Sequence, residues 1–277
     1  MKIKNNYFVK IFSVCSGSSG NCILLENGDN YLLVDIGLSV KRLKSFLENN
    51  EIDINKIKNI LITHEHYDHV KGLEVFLKKY DAGVYSSHGT INKLLEKGVI
   101  NKYSNVKVID KSIKIDNIFV EAFDISHDCE QGFGYSLNFE KENFSLSVFT
   151  DSGICTEEII NSLRNSEIIF IESNYDLEML RNGSYPYFLK KRIASEKGHL
   201  SNEVCSEIVF ELAKSGFKHF ILSHLSLENN SPQLAYDTVL RKLYNLGMKI
   251  NIDFNLEVAE NGIPRNKNVS QKKLVAK

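Results

Sequence analysis

The run His64-Glu65-His66-Tyr67-Asp68-His69 constrains this chain more than any other feature, because it packs four metal-donor side chains into six residues. It follows the apolar stretch Ile60-Leu61-Ile62-Thr63 and precedes Val70, Leu73, Phe76 and Leu77, which recur at helical spacing. The run therefore sits where a strand hands over to a helix. In extended chain, side chains alternate with period two, so His64 and His66 project to one side and can reach a common cation. Asp68 and His69 arrive as the helix begins and point elsewhere, which lets the same run serve a second cation close by.

Two cations need more donors, and His127, Asp151 and His224 each follow an apolar strand. They come after Phe123-Asp124-Ile125-Ser126, Val148-Phe149-Thr150 and Phe220-Ile221-Leu222-Ser223. One such residue alone would be an ordinary hydrogen-bonded side chain. Three in the same context suggest a shared rim. Periodicity predicts strands near 8–15, 21–26, 31–36, 60–63, 83–86, 106–109, 118–124, 133–139, 144–150, 167–171, 218–223 and 249–253. Between them fall helices opening at Ser39, a helical stretch over 70–77, and helices near 90–97, 156–164, 201–214 and 231–245. This mixture belongs to layered α/β architectures. A faint internal echo links Leu32-Leu33-Val34-Asp35-Ile36-Gly37 with Ser147-Val148-Phe149-Thr150-Asp151-Ser152-Gly153. Each is followed by a helix and a second short strand, ending at His64 in one half and Glu172 in the other.

With 277 residues, 43% of them apolar, the chain can bury a large core. Only three prolines occur and none forms a linker, so one domain over 1–262 with a basic, mobile tail over 263–277 is expected. The net charge of −1 gives no global attraction to a polyanion, so nucleic acid would have to meet a local patch. Lys190-Lys191-Arg192, with Tyr185, Tyr187 and Phe188 nearby, could engage phosphates and stack bases. A solvated helix face explains it as well. Five widely spaced cysteines without a C-x-x-C pair fit reduced thiols in a cytoplasmic protein. No apolar run has the length of a membrane span, and Lys10 interrupts the N-terminal apolar stretch, so neither a membrane protein nor an exported one is expected.

Asp35, His64-x-His66-x-Asp68-His69, His127, Asp151 and His224, in this order, resemble the motifs of the metallo-β-lactamase superfamily over nearly the whole chain. The resemblance implies an α/β fold, a four-layer αββα sandwich of two mixed β-sheets. It also implies that His64, His66 and His127 hold one divalent metal ion, that Asp68, His69 and His224 hold another, and that Asp151 bridges them. Asp35 would then orient a ligand imidazole from behind. Imidazole and carboxylate donors without a cysteine suit Zn, Mn or Fe. A hydroxide bridging the two metals would be the nucleophile.

Superfamily members cleave several bond types, so residues outside the ligand set must select the substrate. Gly198-His199-Leu200-Ser201-Asn202 looks like the histidine motif of the phosphodiesterase branches, which implies that His199 contacts the scissile phosphate or protonates the leaving oxygen. Ser201 or Asn202 could equally cap a helix. Taken with Thr150-Asp151-Ser152-Gly153, Glu172-Ser173-Asn174 and the loop Ser16-Gly17-Ser18-Ser19-Gly20-Asn21-Cys22, the chain resembles the bacterial YycJ/WalJ (VicX) group. That implies a 5′-to-3′ exonuclease on DNA, with Glu172 orienting His199 or a substrate group and the loop residues Ser18, Ser19 and Asn21 near the substrate or behind the ligands. The alternatives are a phosphodiesterase on RNA or small cyclic nucleotides, and a metal-bound regulatory protein without turnover. Oligomeric state is left open.

Overall fold

Strands that are apolar on both faces need cover on both sides, and several strands here are of that kind. In the computed structural model, which describes residues 9–102 and 104–259, two sheets supply that cover for each other on one side. The first sheet holds β1 (Ile11–Cys15), β2 (Cys22–Asn27), β3 (Asn30–Val34), β4 (Ile57–Leu61), β5 (Gly83–Ser86) and β6 (Val106–Val108) in chain order. It is antiparallel through β3 and parallel thereafter. The second holds β7 (Ser112–Ile115), β8 (Ile118–Asp124), β9 (Phe133–Phe139), β10 (Phe144–Phe149), β11 (Ile168–Glu172), β12 (Lys218–Ser223) and β13 (Phe254–Val258). It too is antiparallel first, through β10, and parallel afterwards.

The helices are α1 (Val40–Asn49), α2 (Tyr67–Val70), α3 (Leu73–Leu77), α4 (His88–Glu96), α5 (Glu157–Arg164), α6 (Leu177–Asn182), α7 (Tyr187–Ile193), α8 (Asn202–Ala213) and α9 (Pro232–Asn245). Ser39, Thr156, Ser201 and Ser231 open four of them by accepting a hydrogen bond from a backbone N–H three residues on. The period-two alternation of each strand divides the apolar residues into layers. Leu24, Leu33 and Ile60 pack with Leu43, Leu47, Leu73, Phe76 and Leu94 from α1, α3 and α4. Their neighbours Leu25, Leu32 and Leu61 turn the other way and meet Val120, Tyr135, Leu137, Leu146 and Phe170 between the sheets. On the far side Ile169, Ile171, Phe220 and Leu222 lie against Leu163 of α5, Cys205, Val209 and Leu212 of α8, and Val239 and Leu243 of α9. The result is the expected αββα sandwich.

Three local expectations change. The single helix over 70–77 is two, because the Gly72 N–H donates to Ile36 O, and a Cβ at Gly72 would lie 2.4 Å from Leu38 O. The last strand is Phe254–Val258 instead of 249–253. Residues 249–253 form a tight turn, in which Asn251 has φ 61° and its N–H donates to Phe254 O. The short elements β7, α6 and α7 carry too little periodicity to be seen in the sequence. The expected domain end at 262 and the tail over 263–277 lie outside the described residues. Among those residues no helix is long and apolar enough to cross a membrane.

Candidate metal centre

The residues just past β3, β4, β8, β10 and β12, together with the last residue of β11, meet at one rim. This is where parallel strands release their C-terminal ends. At three of these ends the chain takes the left-handed conformation, with φ 61° at Asp35, 59° at Asp151 and 53° at His224. The conformation is costly for residues other than glycine, about 1–3 kcal/mol each, and persists only where the surroundings enforce it. The two aspartates occupy matching places in the sequence echo, and their shared backbone geometry gives that echo structural content. Glycine supports the rim at one close approach. A Cβ at Gly37 would lie 1.6 Å from Asp68 O, so only glycine lets this loop pass beneath the helix start. Asn21 completes the contact, its N–H donating to Asp68 O (2.8 Å) and its carbonyl accepting from Gly37 N (2.8 Å).

Donor atoms converge there in overlapping sets. His64, His66 and His127 form one and Asp68, His69 and His224 another, the atoms of each lying within 4.8 Å of one another; His64, His69 and Asp151 form a third. Asp151 stands among them, with Oδ2 3.4 Å from His69 Nε2 and Oδ1 3.4 Å from His224 Nδ1 and 4.0 Å from His127 Nε2. Two buried atoms of this cluster have no hydrogen-bond partner, His64 Nε2 and Asp151 Oδ2. Leaving a buried polar atom unpaired costs roughly 1–3 kcal/mol, and a cation is the group that would satisfy both.

The imidazoles are aimed from behind. His69 Nδ1 donates to Asp35 Oδ2 (2.8 Å), His224 Nδ1 to Glu172 Oε1 (2.7 Å), and His127 Nδ1 to Gly198 O (3.1 Å). Thr63 Oγ1 lies 3.1 Å from His64 Nδ1 and donates to Asp35 Oδ2. Each ring so held turns its Nε2 towards the donor cluster, as ligand histidines require. His66 is turned the other way. Its Nε2 donates to Asp128 O (3.2 Å) and its Nδ1 lies 3.3 Å from His127 Nε2.

Burial pulls His64 well below the ordinary imidazole range and also lowers His127, so both favour the neutral, metal-binding form. Burial opposes charge on His69 too, but the carboxylates of Asp151, Asp35 and Asp68 outweigh it and hold that ring well above the usual value. His224 is raised to about 10, burial being overcome by Asp151 and by hydrogen bonds to Asp68 and Glu172. Asp68 and Glu172 lie below the usual carboxylate range. Burial would raise both, and the neighbouring histidines prevail, chiefly His69 for Asp68 and His199 for Glu172. The centre is thus a strongly negative cluster that gathers positive charge.

His199 borders this cluster, its ring centroid 5.0 Å from that of His127 and 5.3 Å from that of His224. Its Nδ1 donates to the same Glu172 Oε1 that serves His224 (2.8 Å), while Glu172 Oε2 accepts from Leu200 N and Ser152 N. Glu172 is fully buried, and His199 keeps its side chain 17% exposed. In the 16–21 loop, Asn21 Nδ2 lies 3.0 Å from His69 Nε2 and donates to Asp68 Oδ2 (3.4 Å). Ser18 and Ser19 stand exposed at the tip of the turn closed by Gly20 N to Gly17 O, and among the described residues no hydrogen bond ties either to the cluster. The serine that does reach it is Ser16, whose Oγ accepts from His224 N (2.7 Å). The sequence assigned no role to Thr63, to Asp128, or to Asn174, which lies in the quoted Glu172-Ser173-Asn174 run and whose Nδ2 donates to His224 O (2.8 Å). Thr63 could have been noticed as a hydroxyl between an apolar strand and the histidines. Ser16 opens the quoted small-residue loop, but its role was hidden because its partner is 208 positions away.

Residues 16–136 match the Metallo-beta-lactamase superfamily model. Over 257 residues the chain is 36% identical to exodeoxyribonuclease YycJ of Bacillus anthracis, covering 91% of this chain and 96% of the relative. Over 247 residues it is 34% identical to exodeoxyribonuclease WalJ of Streptococcus pneumoniae, covering 88% and 91%. Among solved structures, the metallo-beta-lactamase fold protein YhfI from Bacillus subtilis superposes with a TM-score of 0.67 at 15% identity, covering 92% of this chain and 98% of that one. Strand order, donor cluster and sequence relatives agree, and the chain belongs to the metallo-β-lactamase superfamily, in its YycJ/WalJ group.

Proposed function

We propose that the chain is a metal-dependent exodeoxyribonuclease that holds two divalent cations and removes nucleotides from the 5′ end of DNA. The observation that carries this reading is the convergence of two donor sets on Asp151, with His199 beside them. His64, His66 and His127 would hold one cation, Asp68, His69 and His224 the other, and Asp151 would be shared. Bound there, the cations would supply a nucleophilic water at neutral pH and offset the charge developing on a phosphodiester. The donors suit Zn, Mn or Fe and include no thiolate to demand zinc.

The chain's own residues do the rest. Glu172 holds His199 by Nδ1, which leaves Nε2 to meet the substrate. As an imidazolium, His199 hands its Nε2 proton to the leaving oxygen, and the Glu172 carboxylate supports the charged ring. Asp35, Thr63 and Glu172 keep the ligand rings from rotating. Asn21 and Gly37 keep Asp68 in place. The relatives, both named exodeoxyribonucleases, support DNA as the substrate.

End-labelled single- and double-stranded DNA, RNA and cyclic dinucleotides, each offered with Mn²⁺ or Zn²⁺, test the reading. Mononucleotides released in order from DNA 5′ ends are expected. Faster cleavage of RNA or cyclic dinucleotides would replace the substrate, and no cleavage of any of them by metal-loaded protein would leave the regulatory reading. His199→Ala should lower kcat about 10²–10⁴-fold with metal content unchanged. Loss of metal in that variant would make His199 a ligand.

A further inference from the structure

With a net charge of −1, the chain can meet a polyanion only through a local positive surface. The cluster Lys190-Lys191-Arg192 is largely engaged within the protein, Lys190 Nζ donating to Arg181 O (2.8 Å) and Arg192 Nε to Asp128 Oδ2. A second positive surface is not. A cavity of about 520 Å³ opens between the first turn of α1 and the helices α2 and α3, and Lys41, Lys44, Lys71 and Lys79 line it. All four are exposed, and no Asp or Glu shares the lining. The acidic residues of these helices face elsewhere: Glu74 accepts from Lys78 (2.6 Å), and Asp68 belongs to the donor cluster. Glu48 lies 3.7 Å from Lys44. Among the described residues no ion pair engages Lys41, Lys71 or Lys79. The positive end of α1 adds to this field, since its first turn holds no acidic residue and Ser39, Val40 and Lys41 form part of the wall.

The cavity adjoins the metal centre through the chain that builds both. Tyr67 lines it and stands between His66 and Asp68 in the sequence, with Lys71 Nζ 5.4 Å from the centre of its ring. Gly72 lines it as well, and its N–H donates to Ile36 O, next to the Gly37 that passes beneath Asp68. The lysines are therefore set beside the helix start that carries Asp68 and His69, and none of them belongs to a donor set.

We propose that this lysine-lined cavity is an exosite for the DNA backbone, which holds phosphates beyond the nucleotide being removed while the metal centre cuts. The proposal rests on the nucleic-acid reading above and adds a second point of contact to it. A small-molecule site orients its occupant with a few fixed polar groups, whereas the side chains between these lysines are Val40, Val75 and the rings of Tyr67 and Tyr80. Lysine is a point charge on a flexible stem, without the rigid fork that would select one geometry. Several such charges over one cavity suit phosphates that recur along a polymer, whatever bases they carry. The exosite would raise affinity for long DNA and keep it bound from one cut to the next, and would leave the chemical step to the cations and His199.

The test uses the full-length, metal-loaded protein and a long fluorescein-labelled duplex with phosphorothioate linkages, which binds without being consumed. Lys41→Ala/Lys79→Ala should weaken binding about tenfold at low salt and reduce the slope of log Kd against log salt by about 1.8, the share of two phosphate contacts. Lys41→Arg/Lys79→Arg keeps both charges and should bind as the wild type does. With cleavable DNA, the alanine variant should show a raised KM for the long duplex and wild-type kcat and KM for a dinucleotide, which is too short to reach from the metals into the cavity. In the wild type, bound duplex should shield Lys41, Lys71 and Lys79 from acetylation. Unchanged duplex affinity in the alanine variant would overturn the proposal, as would an equal loss on the dinucleotide, or shielding of other lysines while these three stay reactive. A wild type that cuts no DNA would instead sink the proposed function, while the binding and acetylation measurements decide the exosite on their own.

Discussion

At the scale of single residues, the second layer of the cluster is as informative as the ligands. Asp35 accepts from Thr63 N, Thr63 Oγ1 and His69 Nδ1, so one carboxylate fixes the His69 ring and the strand end that carries the first histidine. Asp35→Asn preserves size and tolerates the left-handed backbone but loses the charge. It should lower metal affinity about 10–100-fold without unfolding the protein, measured by chelator competition. Glu172→Gln should act on two rings at once, lowering both metal occupancy and kcat, because Oε1 serves His199 and His224 together. The donors that converge at the rim were legible in the sequence because they follow apolar strands, singly or as the run 64–69. The residues behind them were legible only where they neighbour a ligand or share its strand-end pattern, as Asp35 and Glu172 do. Ser16 and Asn174 act through the three-dimensional meeting of distant loops. Both lie in runs that carry the family resemblance, yet their contacts with His224 depend on loops far apart in the chain.

At the scale of elements, strands and long helices were visible by periodicity, and exceptions arise where one backbone contact overrides the pattern. The helical spacing from Val70 to Leu77 continues through Gly72, yet the helix breaks there to let Gly72 N–H reach Ile36 O. Gly72→Ala would push a methyl against Leu38 O and Ile36 Cγ1, at 2.4 and 3.0 Å. A destabilisation of about 1–3 kcal/mol is expected, read by urea unfolding. Lys218 opens β12 nearly buried, donating to Arg164 O and Ser166 O beyond the end of α5, and burial lowers its pKa. Because the folded value lies below the unfolded one, its charge opposes folding at neutral pH, and that opposition fades as pH climbs towards 10.5. Wild type should therefore gain stability relative to Lys218→Met as pH rises towards 10.5, seen as a shift in their difference in Tm.

At the scale of the whole molecule, three apolar layers hold the sandwich and the donor cluster lies at its rim. Removing metal should accordingly lower Tm while leaving the far-ultraviolet circular dichroism spectrum unchanged, since no layer of the core contains a ligand. Ligand at a hundredfold excess over Kd stabilises by about 2.7 kcal/mol, which sets the scale of the expected loss. The two mixed sheets were implied by the sequence resemblance, while the order of strands and helices pointed only to a layered α/β architecture. The way they face each other was not, because it rests on which alternate residues of each strand turn inward.

The hydrogen bond from His224 N to Ser16 Oγ joins residues 208 positions apart. It ties a loop near the beginning of the chain to the end of β12. A chain emerging from the ribosome cannot make this bond, nor complete the set Asp68, His69 and His224, until β12 has been synthesised and has slotted beside β11. Such a long closure forms late, after the local hairpins and the first sheet. A copy that ends before β12 has no His224 and cannot complete that donor set, however well its first sheet is folded.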